Sequence, residues 1–302
     1  MHVRTAIVVA FASGCNFIYE LEPTQLRDES DIDEDGVLDV EDNCVTTPNP
    51  PPPGQTVQID TDLDTIGDAC DNCALLSNVE QRAVGDGDEL GDLCDPHPTS
   101  GSDCLVVLDT FADPARLFEH WQVVGGDRAS VVAEVGRLSL RPRTGENLAL
   151  AAIGADGMLL GDDHDLLVRG KIPQAPDGAI FHVVTDAALP SFGFGCGLRF
   201  VTVPNIEVSV AAIGGPSTGN TAELTPPVDD DFVIRLASRS VESPFAKVCR
   251  VEYGVSVGIQ SFGGQQPKGW TGVRTVGAAV EITGIALTKH VASGTCPPAQ
   301  RW

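Results

Sequence analysis

From Cys104 onward the chain alternates apolar and polar positions in short runs broken by Gly, Pro, Asp and Asn. Alternation puts successive side chains on opposite faces of an extended strand, and the breakers mark the turns between strands. Candidate strands fall at residues 105–108, 122–124, 129–134, 137–141, 148–153, 165–172, 178–185, 194–203, 207–213, 232–238, 247–253, 255–261, 271–276 and 280–289. No long stretch keeps the 3.6-residue apolar period of an amphipathic helix. More than ten short strands in roughly 190 residues predict a mainly β domain built as a two-sheet jelly-roll sandwich.

The segment 28–95 follows a different pattern. It holds 20 acidic residues against the single basic Arg82, and so carries 19 of the 24 excess negative charges of the 302-residue chain. A net charge of −24 argues against nucleic acid or an anionic membrane as a charge-driven partner, and makes cations the natural counterpart. Charge runs of this kind are usually disordered tails. Here, however, cysteines, glycines and aspartates recur at fixed offsets, which points to a module organised by metal; an acidic linker solvated by water is the alternative.

The stretch DIDEDGVLDVEDNC places Asp31, Asp33, Asp35, Asp39 and Asp42 at positions 1, 3, 5, 9 and 12 of a loop, with Gly36 at position 6 and the Val37 carbonyl at position 7. Alternate carboxylates on a curling loop converge on one point and supply the hard oxygen donors that calcium requires, while the glycine permits the sharp turn. DTDLDTIGDACD repeats the spacing with Asp60, Asp62, Asp64, Asp68 and Asp71, and with Thr65 in place of the glycine. A third loop offers Asp86, Asp88, Asp92 and Asp95 but has Val84 at position 1 and Glu89 at position 6. The Asp at position 12, the missing flanking helices and the prolines at 48 and 50–53 argue against a helix-loop-helix hand.

The order Asp42-Asn43-Cys44, Asn49, Gly67-Asp68-Ala69-Cys70-Asp71, then Asn72-Cys73, Asn78, Gln81 and Gly91-Asp92-Leu93-Cys94-Asp95 resembles the thrombospondin type 3 repeat, an aspartate-rich calcium-binding array. The resemblance implies a module over residues 28–98, structural calcium as its cofactor, and disulfides joining Cys44 to Cys70 and Cys73 to Cys94. So few apolar residues cannot fold by burial alone, and calcium and disulfides are expected to supply the missing stability.

The chain contains nine cysteines, which suit an oxidising compartment, although the number is odd. The N-terminus accounts for the odd one. A basic start, an apolar run from Thr5 to Ala12 and then Ala12-Ser13-Gly14-Cys15 resemble a bacterial lipoprotein signal, with Ala12 where that family usually has Leu. The resemblance implies a signal over residues 1–15, lipidation of Cys15, a tether over 16–27 and, from Asn16 after the cysteine, export to the outer membrane or cell surface. An ordinary signal peptide with a coincidental cysteine is the alternative. Eight cysteines then remain for four disulfides. Cys196 and Cys249 fall in candidate strands, while Cys104 and Cys296 bracket the large domain, so the simplest pairing is within each set, Cys104–Cys296 tying first and last strands and Cys196–Cys249 stapling neighbouring core strands.

Over residues 99–302, Asp109-Thr110-Phe111 leading to Trp121, then Gly136-Arg137-Leu138, residues 165–172 and Gly272-Val273-Arg274-Thr275 before residues 280–287 look like a concanavalin-type, laminin G-like domain. The six histidines lack the spacing of a zinc motif, and no nucleophile elbow, phosphate loop or paired-carboxylate strand motif occurs. No catalytic residue is assigned. Aromatic residues make up only 5% of the chain; Trp121, Tyr253 and Trp270 are the candidates for stacking on a sugar, Trp121 suiting the core and Trp270 a surface loop. Two functions remain. One is a calcium-binding, lipid-anchored envelope protein whose array acts as a rigid spacer and whose sandwich binds a glycan or a surface protein. The other is a secreted polysaccharide-active hydrolase on a calcium-dependent stalk.

Overall fold

A computed structural model describes residues 30–99, 101–152, 163–189, 192–202, 205–213, 223–224, 231–239, 246–254, 256–263, 270–291, 296 and 299–301. The expected signal, Cys15 and the tether lie outside these residues.

The large domain is mainly β. Its strands are β1 (Asp103–Asp109), β2 (Trp121–Gly125), β3 (Val131–Glu134), β4 (Arg137–Leu140), β5 (Asn147–Ala152), β6 (His164–Gln174), β7 (Ile180–Leu189) and β8 (Phe192–Thr202). They continue with β9 (Asn205–Ile213), β10 (Glu223–Leu224), β11 (Asp231–Arg239), β12 (Ala246–Tyr253), β13 (Ser256–Gly263), β14 (Trp270–Val276), β15 (Ala279–His290) and β16 (Gln300–Arg301). Among the described residues one sheet runs β13-β12-β11-β6-β15-β1-β16, with β4 and β3 added beyond β15, and the other runs β10-β9-β8-β7-β14-β5-β2. All the pairings between long strands are antiparallel, giving a jelly-roll-type sandwich.

Period-two burial builds the core. Leu166, Val168 and Ile172 of β6, Ile234 and Leu236 of β11, and Val280, Ile282, Ile285 and Leu287 of β15 face Leu148, Leu150, Phe181, Val183, Leu198 and Val273 of the second sheet. On β15 the inward positions step from Ile282 to Ile285, because a register shift between Ile282 and Gly284 inserts one extra residue. Phe181 and Phe232 meet across the sandwich at a ring separation of 5.1 Å.

The candidate strands all correspond to observed ones, with three differences. Arg128–Ser130 forms a 3-10 turn capped by Asp127 instead of opening β3. Residues Pro114–Arg116 and Leu117–His120 make a short helical turn, started by the Asp113 carboxylate accepting from the Ala115 N–H. The two-residue strands β10 and β16 are too short to show alternation.

Among the described residues four disulfides are closed. Cys44–Cys70 and Cys73–Cys94 span 26 and 21 residues within the acidic module. Cys104–Cys296 ties β1 to the segment before β16. Cys196–Cys249 joins β8 to β12, and so crosses the core from one sheet to the other; it does not link neighbouring strands as the sequence suggested.

The acidic module is not a free-standing spacer. Leu75 and Ala74 pack with Leu108 and Leu167 on the outer face of the first sheet, flanked by Leu76, Leu105, Val233 and Ala286. Gly284 leaves room for Leu75, whose methyl group would collide with a Cβ at that position. Three arginines from the sandwich reach backbone carbonyls of the module: Arg169 to Leu75 (3.3 Å), Arg301 to Asp68 (2.6 Å), and Arg235 to Cys94 (3.3 Å) and Asp95 (3.1 Å).

Candidate metal centres

Each acidic loop turns on left-handed residues. In the first loop these are Glu34 and Gly36, at φ 62° and 95°; in the second they are Leu63 and Thr65, at 66° and 83°. Thr65 thus adopts the conformation that glycine would adopt freely, at some cost in strain. In the third loop Gly85 and Gly87 carry the positive φ values, and Glu89 at position 6 does not.

These turns draw carboxylates together. Asp31, Asp33 and Asp35 form one set of oxygens lying within 4.8 Å of one another, and Asp60, Asp62 and Asp64 form a second. The third set is Asp86, Asp88 and Asp95, so that Asp95 at position 12 completes a triad in the loop that has Val84 at position 1. Asp42 and Asp71, at position 12 of the first two loops, each present a buried Oδ2 without a hydrogen-bond partner.

The aspartates at position 9 behave differently. Asp39 accepts from the Ile32 N–H at 2.9 Å, Asp68 from the Thr61 N–H at 2.8 Å and from the Thr61 hydroxyl at 2.7 Å, and Asp92 from the Val84 N–H at 2.8 Å. They close the loops by bonding the backbone where each loop begins. Val37 contributes an N–H that donates to Asp35 Oδ1 at 2.8 Å.

The recurring Asn and Gln of the array have a physical role. Gln58 donates to Asp42 Oδ1 (2.8 Å) and Asp35 Oδ2 (3.1 Å), and the Asn49 N–H donates to Asp35 Oδ2. One loop on, Gln81 donates to Asp71 Oδ1 (2.7 Å) and the Asn78 N–H to Asp64 Oδ2 (2.7 Å). At Asp42 and Asp71 this holds Oδ1 and leaves Oδ2 without a partner, whereas both oxygens of Asp35 and of Asp64 accept from the scaffold. Gly67 and Gly91 are required by close approach, since a Cβ at either would run into the Asn43 or Asn72 amide.

The carboxylates of the second loop are the most buried and crowded. Asp62, Asp64 and Asp71 are 5%, 3% and 3% exposed. Burial, and then the charges of Asp71 and Asp64, push the Asp62 carboxyl up to about 7. Burial and the neighbouring Asp103 and Asp88 push Asp95 up to about 8, against the N–H of His97 that holds it down. Further orphaned buried oxygens belong to Asp33, Asp62 and Asp86. Buried, unpaired carboxylate oxygens are costly unless a cation meets them. All-oxygen donors on flexible loops suit calcium, so the residues fit the metal that the spacing implies.

The candidate sugar contacts fare differently. Trp121 is 1% exposed and donates to the Asp109 carboxylate at 2.5 Å; Tyr253 is 2% exposed. Both belong to the core. Burial raises Asp109 to about 6 in spite of the Trp121 and Phe111 N–H donors. Trp270 opens β14 opposite Ala187, in a strand where a loop was expected, and its side chain lies outside the described residues. Asp231, Glu252 and Glu281 form surface ion pairs with Lys171, Arg250 and Arg137.

Sequence reasoning treated the histidines as scattered. The fold brings His97 and His290 together, with ring centroids 4.6 Å apart on either side of the buried Asp103. Only tertiary structure joins residues so distant in the chain, and no local spacing could have signalled it.

Residues 29–51 and 58–81 match the family model described as thrombospondin type 3 repeat. Those matches cover the first two loops; the third, outside them, gathers its own carboxylate triad. No curated protein matches the chain. Among solved structures, the chain is similar to a GH43 glycoside hydrolase engineered to display endo-xylanase and exo-arabinofuranosidase activity, at 14% identity and TM-score 0.46 over 61% of this chain and 40% of that one. It is also similar to a legume lectin-like domain from Entamoeba histolytica, at 9% identity and TM-score 0.42 over 58% and 92% of the two chains. A carbohydrate binding module, CBM66 from Bacillus subtilis, is similar at 12% identity and TM-score 0.39 over 54% and 92%. The chain spans 40% of the length of the first of these.

Proposed function

We propose that this chain is an exported, calcium-binding cell-envelope protein, anchored by lipid on Cys15 at the outer membrane or cell surface, whose sandwich binds a glycan or a surface protein. The observation that carries the calcium reading is the set of three carboxylate triads with orphaned buried oxygens. Asp31, Asp33, Asp35 and Asp42 serve the first ion, Asp60, Asp62, Asp64 and Asp71 the second, and Asp86, Asp88 and Asp95 the third. Calcium is structural here: it neutralises carboxylates that would otherwise repel, and so fixes loops that have no apolar core of their own. Asp39, Asp68 and Asp92 hold the loop entrances.

The anchor reading is supported by Ala12-Ser13-Gly14-Cys15 and by the even number of cysteines left once Cys15 is set aside. Its test is flotation of membranes from a Gram-negative host making the chain or its Cys15→Ser variant. The chain floating with membranes and the variant in the soluble fraction is the expected outcome; equal behaviour contradicts the anchor. Glycan and protein arrays probed in calcium and in chelator test the binding role, with retention expected in calcium. Release of reducing ends from a polysaccharide would instead establish the hydrolase.

A further inference from the structure

His97, Asp103 and His290 meet where the third loop joins the sandwich. His97 follows the loop, Asp103 begins β1, and His290 ends β15. Both Nδ1 atoms face the Asp103 carboxylate: that of His97 lies 3.2 Å from Oδ1 and 3.1 Å from Oδ2, and that of His290 lies 3.1 Å from Oδ1. The Asp103 side chain is fully buried, while both histidines are 25% exposed and so open to an entering ion. All three donor atoms lie within 4.8 Å of one another.

The other face of His97 looks toward a second carboxylate, beyond hydrogen-bond distance. Nε2 lies 3.6 Å from Oδ2 of Asp163, a buried carboxylate. A neutral imidazole carries one N–H. In one tautomer Nδ1 donates to Asp103; in the tautomer with that hydrogen on Nε2, the lone pair of Nδ1 points at the carboxylate oxygens of Asp103 and two acceptors face each other at 3.1 Å. A cation between them removes the conflict. Carboxylate behind imidazole, with the opposite nitrogen turned to a metal, is the usual way a histidine ligand is oriented.

We infer that His97, Asp103 and His290 form a binding site for a borderline divalent cation of the zinc class, separate in chemistry from the all-oxygen loops. Two imidazole nitrogens and a carboxylate match that class and not calcium. Donors on a tetrahedral ion with bonds of about 2.0 Å stand about 3.3 Å apart, close to the nitrogen-oxygen separations seen here. The fourth position faces solvent and takes water. Asp163 is a positioning residue. The bound ion clasps the end of the repeat module to β1 and β15, joining the two parts of the molecule at their seam.

The test is cobalt titration of the untagged, calcium-saturated chain, followed by visible ligand-field absorption. One equivalent with the intense bands of a four-coordinate site is expected, displaced by zinc. His97→Gln with His290→Gln should abolish the bands while leaving the near-ultraviolet circular dichroism and calcium stoichiometry unchanged. Asp163→Asn should weaken cobalt about 10- to 100-fold while the bands persist at saturation. Absence of bands, or bands that survive in the double variant, would overturn the site and leave Asp103 as a hydrogen-bond acceptor for two imidazoles. Calcium uptake by the loops is read separately, so its failure is distinguishable.

Discussion

In the sandwich, the side chains removed from water are Leu138, Leu140, Val168, Phe181 and Ile234; in the acidic module, Asp62 and Asp64 are 5% and 3% exposed while Leu63 between them is 80% exposed. One part of the chain builds its core from apolar residues, and the other turns carboxylates inward while leaving Leu63 in water. The inversion follows from what each part must satisfy. Strands pair their own backbone and bring apolar faces together, whereas loops with few apolar residues gain cohesion only if their carboxylates share a partner. The module makes apolar contact with the sandwich by lending Ala74 and Leu75 to the outer face of the sheet, where Leu108 and Leu167 receive them.

The contrast is broken most severely by removing calcium. Each ion at about 100 times its dissociation constant contributes about 2.7 kcal/mol to the state that binds it. Chelation should therefore expose residues 30–95 to protease while leaving the sandwich resistant; equal susceptibility of both parts would contradict the division drawn here.

The electrostatic seam ranks next. Asp165 is a buried carboxylate held by Arg235 and Arg239, and Arg235 also carries the carbonyls of Cys94 and Asp95. Burial alone would raise its carboxyl, but the two guanidiniums outweigh that and hold it below the ordinary value. The contribution of Asp165 is thus present above its unfolded value near pH 4 and is lost as the pH falls through the lower folded value. Asp165→Asn should cost about 3 to 5 kcal/mol at neutral pH in denaturant unfolding, and should flatten the loss of stability below about pH 4.

Leu75→Ala should cost about 2 to 5 kcal/mol, seen as release of the module from the sheet in limited proteolysis with calcium present. Thr65→Gly should stabilise the module by about 1 kcal/mol, because the left-handed position is strained for threonine and free for glycine. Leu63→Ser should change thermal unfolding by no more than about 0.5 kcal/mol, since that leucine faces water. A large effect at Leu63 would mean that the module buries apolar surface after all.

Much of this arrangement was legible beforehand, and for identifiable reasons. The strands announced themselves because apolar residues recur at alternate positions, as at Leu166 and Val168 or Ile234 and Leu236, even though Leu167 and Val233 on the outer face are apolar too. The triads were legible because their ligands lie within single loops, at spacings set by local turns. Position 9 is less legible, because the same aspartate can face the ion or the loop backbone, and here Asp39, Asp68 and Asp92 accept from the Ile32, Thr61 and Val84 N–H groups. Contacts between distant segments left no local trace: the docking of Leu75 beneath Gly284, the crossing of Cys196 to Cys249 between sheets, and the meeting of His97 with His290.

Calorimetric titration of calcium into the chain tests the central claim most directly. Uptake at the three loops, with the second lost on Asp62→Asn and Asp64→Asn together, is the predicted result; an unchanged isotherm in that variant, or no heat of binding at all, would contradict it.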